Sequence, residues 1–335
     1  DLRDRAGWGE GDTSAKMSAL AAEAILTMPL RKSVDVISEG TCLIIGGTAA
    51  IDAANELCDL LAVTVLLDDP NLLPFDRKFD CVVGAIRAVN GALGNFTVKF
   101  DALQQILPGG RNAFRLSAPK NGTVSNCDII LDLTGNTAFV PSAEKREGYI
   151  RADPTHLLSV TKASFEASQL IGTFEKPLYV KLEEALCAHS RAEQPACSNC
   201  LNVCPTGAIT SVGEHVAVDP MVCAGCGSCS AVCPSGAISY DAPSIDTIFR
   251  RLTTLASTYK KLSRISPHLL VHDAVFGLEM ISLAARFGRG LPAHVIPLEV
   301  DALSAFGHAE MVAALACGFE HVDILVSPKS ELNVL

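Results

Sequence analysis

The stretch CSNCLNVCPTGAI, residues 197–209, sets cysteines at positions 197, 200 and 204, the last followed by proline. Twenty-nine residues on, the pattern returns. Cys226, Cys229 and Cys233 repeat Cys197, Cys200 and Cys204, and CPSGAI repeats CPTGAI. The second copy carries one more cysteine, Cys223, and so reads C-x2-C-x2-C-x3-C-P. At the matching place in the first copy, position 194, stands glutamine. Two half-units of one spacing predict a small module with internal pseudo-twofold symmetry.

This spacing is that of iron–sulfur ligation. A [4Fe–4S] cube needs four thiolates at the corners of a tetrahedron, and one short loop presents three before the chain turns away. The cysteine before proline then reaches across to the other cube. The rule assigns Cys204, Cys223, Cys226 and Cys229 to one cluster and Cys197, Cys200 and Cys233 to the other. The missing ligand is read as Cys187, the nearest unassigned thiol. The polar stretch AHSRAEQPA after it has ample reach, at about 3.3–3.6 Å per extended residue, to loop out and return. The alternatives are a three-iron cluster, an oxygen ligand from Gln194, and a pair of zinc sites. His189 and Arg191, just beyond Cys187, are placed to donate hydrogen bonds to cluster sulfurs, or else to sit in solvent.

Composition narrows the class. The chain has 335 residues, 49% of them hydrophobic and 19% charged, enough apolar material for more than one core. A formal charge of −10 argues against a nucleic-acid partner; it suits steering toward a basic patch on a redox partner, and is as a rule simply ordinary for a soluble protein. No apolar run reaches the length of a membrane span. Of thirteen cysteines, seven fall within 37 residues in metal spacing, which implies a reducing compartment, the cytoplasm, rather than disulfides. Besides these and Cys187, the other five, Cys42, Cys58, Cys81, Cys127 and Cys317, sit mostly in apolar runs and read as small buried hydrophobes. The first residue is Asp1, not Met, which predicts a trimmed chain.

Around the module the periodicity is α/β. Residues 1–40 predict an N-terminal helical segment, with SAKMSALAAEAILTMPL at helical spacing. In 41–178, CLIIGG, a helix through AAIDAANELCDLL and the strand AVTVLLDD form a unit similar to a dinucleotide-binding βαβ. Gly46 and Gly47 make its turn and Asp68 its terminal acid. The fingerprint is incomplete, since Thr48 stands where a second spaced glycine belongs; FAD or NAD(P) is an option, a degenerate structural unit the main reading. Residues 179–245 hold the cysteines. In 246–335 a connector helix, IDTIFRRLTTLASTYKKL, leads into a βαβαβ tail of parallel strands. His272, Asp273, Arg286, Arg289 and His294 are the tail's candidate partner or anion residues, against a default of ordinary surface. The fold class is therefore α/β plus α+β: a bacterial dicluster ferredoxin module between two Rossmann-like α/β domains.

The strings LCAHSRAEQPACSNCLNVCPTGAIT and VDPMVCAGCGSCSAVCPSGAISY, with GYIRADP, FEKPLYV and VHDAVFGLEMISLAARFGRGLPAHVIPL, resemble a family of composite 4Fe-4S ferredoxin-type proteins. These are encoded beside bacterial formate dehydrogenase. The central α/β part is similar to the flavin domain of heterodisulfide reductase, with a broken glycine fingerprint. The tail is similar to the methyl-viologen-reducing hydrogenase delta subunit, without a clustered cysteine motif. The resemblance implies electron delivery to or from a formate dehydrogenase subunit in the cytoplasm. The competing readings are a flavin- or NAD(P)-dependent oxidoreductase component and a maturation scaffold for formate dehydrogenase.

Overall fold

The computed structural model describes residue 6 and residues 11–107, 114–191 and 194–328. Its largest sheet lies before the cysteines. Along it run Arg115–Leu116, Phe96–Leu107, Asp80–Asn90, Ala62–Leu67, Thr41–Gly46, Ile129–Leu133 and Tyr149–Arg151, with Thr123–Cys127 paired to Phe96–Leu107. The strands from Asp80–Asn90 to Tyr149–Arg151 are parallel, and Phe96–Leu107 adds an antiparallel extension. Thr41–Gly46 is the first strand of this sheet and sits in its middle, so the order reverses at its flank, as in doubly wound folds.

Burial explains the strand sequences. Ile129–Leu133 is buried at every position, because cores lie on both faces of the sheet. The helices Thr48–Leu57 and Leu157–Ser168 cover one face through Ala50, Ala53, Ala54, Ala163 and Ala167, small residues that permit close approach. On the other face Phe96, Val98 and Phe100 alternate inward from a half-exposed strand.

The tail sheet is parallel, in the order Val295–Val300, His268–Asp273, His321–Ile324. Helices Phe276–Phe287 and His308–Cys317 connect its strands; the latter stops at Gly318, whose φ of 99° is the left-handed cap expected there. The connector helix spans Ile245–Leu262 and buries Ile248, Leu252, Leu255, Ala256 and Tyr259 on one stripe. The N-terminal helix Ser14–Ala24 packs on it and shares the tail's core through Ala15, Ala19 and Leu20. Ser33–Ser38 pairs antiparallel with Gly172–Pro177. The N-terminal segment thus bridges both flanking regions instead of standing apart. Among the described residues no helix is long and apolar enough to cross a membrane.

Candidate metal centre

Between the flanks, Val180–Leu182 pairs antiparallel with Ile238–Tyr240, which brings the two ends of the cysteine region together. A hairpin, Ile209–Val212 with His215–Val218, separates its two halves. Each half has a short helix carrying cysteines, Asn199–Val203 and Ser228–Ala231, and these two pack against each other. The thiols fall into two groups. Cys187, Cys197, Cys200 and Cys233 line one cavity. Cys204, Cys223, Cys226 and Cys229 line another. In each, three cysteines come from one half and the fourth is the one before proline in the other half; in the first, Cys187 stands in the cavity where the repeat lacks a local cysteine.

The detour to Cys187 is a closed structure. Cys187 follows a single 3-10 turn, Glu184–Leu186, and Ser190–Arg191 pairs antiparallel with Gln194–Pro195. His189 fastens the base of this hairpin. Its carbonyl accepts from the amides of Ala196 and Cys197 at 2.8 and 3.3 Å. Its Nδ1 lies 2.7 Å from the Cys197 carbonyl and its Nε2 2.7 Å from Ser211 Oγ. A carbonyl only accepts, so Nδ1 carries the proton. His189 therefore follows neither reading, bond to a sulfur or solvated side chain: it is buried, and both ring nitrogens hold the loop that spaces Cys187 from Cys197. The side chains of Arg191 and Gln194 lie outside the described residues.

Burial pushes the Cys229 thiol up strongly, and Cys223, Cys226, Cys204 and Cys200 add to the effect. Cys200 is raised by burial and by Cys197, Cys233 and Cys187; Cys223 is raised by burial, against an opposing backbone bond from Gly225. Burial pushes Cys233 up as well, yet its net direction is down, because the amide of Ile238 at 3.5 Å and bonds from Ser235 and Ala237 outweigh it. Thiolates gathered this way repel one another, and a bound cationic group relieves that repulsion. Four soft thiolates around a cavity form the donor set of an iron–sulfur cube. Among the described residues no three His, Cys, Asp or Glu side chains converge on a point that would hold a single ion.

Two buried side chains that adjoin the loops of the second quartet also have an atom without a hydrogen-bond partner. Ser228 Oγ, between Cys226 and Cys229 in sequence, is fully buried without a partner. Arg146 reaches in from the first α/β region: Nη2 donates to Thr206 O at 2.6 Å and Nη1 to Gly91 O at 2.7 Å, while Nε is buried and unpartnered. Nothing in the string EKREGYIR distinguishes Arg146 from a solvated charge, so the sequence carries no signal for it.

The remaining candidates are scattered. A Cβ on Gly46 would lie 2.8 Å from Leu133 O, and one on Gly47 3.6 Å from the Leu72 side chain. At Gly46 the glycine has a structural cause, close approach to the neighbouring strand. Asp68 is exposed beyond Ala62–Leu67. His272 is buried, with Nδ1 2.9 Å from the Asp273 carbonyl, and Asp273 Oδ1 accepts from the amides of Val275 and Gly277. These two sit at the carboxyl end of the tail sheet. His294 lies at the opposite end, edge-on to His268 with ring centroids 4.6 Å apart, and Arg286 and Arg289 are exposed. The five tail residues do not form one site.

Residues 195–237 match the 4Fe-4S dicluster domain family. The chain thus contains a ferredoxin-type iron–sulfur domain with an electron-transfer role, set within a mixed α/β protein. The matched stretch starts after Cys187. No curated protein matches the chain.

Proposed function

We propose that the protein is an electron carrier with two [4Fe–4S] clusters, one held by Cys187, Cys197, Cys200 and Cys233 and the other by Cys204, Cys223, Cys226 and Cys229. The observation that carries this reading is the sorting of eight thiols into two quartets, each around its own cavity. When bound, such clusters supply outer-sphere one-electron transfer. The chain holds them, excludes water and sets their surroundings; no bond to a substrate is made. The free state of all thirteen cysteines fits a reducing compartment, and the cytoplasm is the one proposed.

The proposed organisation is a helical segment (1–40), an α/β domain (41–178), the dicluster domain (179–245) and a βαβαβ domain (246–335). The resemblance of both flanks to parts of heterodisulfide reductase and hydrogenase assemblies supports a protein redox partner, and that of most of the chain to the composite 4Fe-4S family supports a formate dehydrogenase subunit.

The deciding experiment is anaerobic iron and sulfide analysis with EPR of the reduced protein, beside Cys187→Ala. Wild type is expected to hold about eight irons. The variant is expected to lose or convert one cluster and keep the other. Two intact cubes in the variant would remove Cys187 from the ligand set, and an iron-free or zinc-loaded wild type would end the reading. A purified formate dehydrogenase that exchanges no electrons with the loaded protein would remove that partner alone.

A further inference from the structure

The two quartets differ in their surroundings. Among the described residues no arginine or lysine lines the cavity of Cys187, Cys197, Cys200 and Cys233. The second quartet has cations beside it, both from the α/β region before the module. Lys176 acts on Cys223, but its buried Nζ is neutralised by Glu147 Oε1 at 2.6 Å. Arg146 is 7% exposed, and the charged groups that act on it are Asp219 and Cys204. It is bonded to Thr206, whose Oγ1 lies 3.7 Å from Cys204 Sγ, and it lines the same cleft as Cys226.

A buried guanidinium held mainly by neutral carbonyls is costly, and a neighbouring anion offsets that cost. Such a charge is poorly screened, so its effect on a nearby redox group is large. We propose that Arg146 sets the potential of the cluster held by Cys204, Cys223, Cys226 and Cys229: its charge stabilises the added electron, so a single electron given to the protein rests on that cluster. This rests on the two-cluster reading above. Arg146 touches no substrate and acts through the field and hydrogen bonds it brings to the ligand loop.

The test uses the full chain, reconstituted anaerobically, with iron counted first and EPR-monitored titration by a low-potential chemical reductant second. In Arg146→Gln the reduction constant of one cluster is expected to fall ten- to hundred-fold, about 60–120 mV at 59 mV per decade for one electron. The other cluster should change less than about twofold. The fall should persist in the Cys187→Ala background, where the first quartet is impaired. Arg146→Lys keeps the charge but not the fork, and should restore most of the midpoint. A Lys variant as low as the Gln variant would make Arg146 a structural strut, and a full iron complement with an unmoved midpoint would overturn the proposal. So would equal shifts of both clusters. Should Arg146→Gln lose its iron, Asp219→Asn carries the test. Removing the anion that opposes Arg146 must raise the same midpoint, and an unchanged or lowered value overturns the inference. An iron-free wild type instead sinks the underlying reading.

Discussion

At the scale of single residues, thirteen thiols divide by environment. Cys42, Cys81 and Cys127 are buried in the first α/β region, and desolvation pushes Cys81 up to about 11 and Cys127 up to about 12. Cys42 moves the same way, from burial and then from Cys127. Alkylation of the loaded native protein at pH 8, read by peptide mass mapping, should therefore leave these three unmodified, while half-buried Cys58 and Cys317 react first. Labelling of Cys81 at the rate of Cys58 would contradict that. The sign with pH follows. The unfolded thiol ionises at 9.0, whereas folded Cys81 keeps its proton to about 11, so the native state binds more protons in that window and stability falls as pH rises through it. The grouping of seven thiols into the two quartets was legible because they share one regular spacing. Cys187 required an argument from reach, since a loop of any moderate length closes at similar cost. Arg146 and His189 act through folded proximity, and no spacing in the sequence encodes it.

At the scale of elements, sequence periodicity worked where one face meets one core. Ile245–Leu262 was legible end to end because its apolar stripe repeats at helical spacing between Ser244 and Ser263. The strand Asp80–Asn90 was not, because it pairs parallel on one side and antiparallel with two register shifts on the other, which scrambles alternation. Leu157–Ser168 is a helix that leaves Leu157, Leu158 and Phe165 exposed and buries small residues instead, so its pattern runs opposite to the usual one. The N-terminal helix was visible as an element, but its partner was not. It docks on the connector helix, where Arg251 Nε meets Glu23 Oε1 at 2.6 Å with both side chains under a tenth exposed. Glu23→Ala leaves that guanidinium buried without its pair and should cost about 3–5 kcal/mol. Glu23→Ala with Arg251→Met removes both charges and should recover much of it. Urea unfolding of the two variants checks this; a single-variant loss below about 1 kcal/mol would place the pair among weak surface bridges.

At the scale of the whole molecule, the two quartets of the dicluster module are held unequally. The loops that carry the second quartet, Cys204 from the first half and the other three from the second, are gripped from both sides. Ser142 Oγ donates to Pro205 O and Arg146 to Thr206 O from the first α/β region, and the Tyr179 ring lies where a Cβ on Gly225 would fall. From the tail, Ala305 abuts Gly227 so closely that a Cβ there would lie 2.4 Å from the alanine methyl, and Gly307 meets Ala231. The first quartet's cavity instead opens beside exposed Asn199, Pro234 and Ser235. An iron chelator should therefore strip the first quartet before the second in the wild type. Gly227 has φ of +79°, so Gly227→Ala adds a left-handed penalty of about 1–2 kcal/mol to the clash and levers the tail away from the ligand loop. Thermal unfolding of the variant should separate the tail's transition from the rest, and chelation should reach the second quartet as fast as the first. If the variant unfolds in one step and keeps the wild-type order of iron loss, the tail does not shelter that cluster, and Ala305 merely fills space beside it.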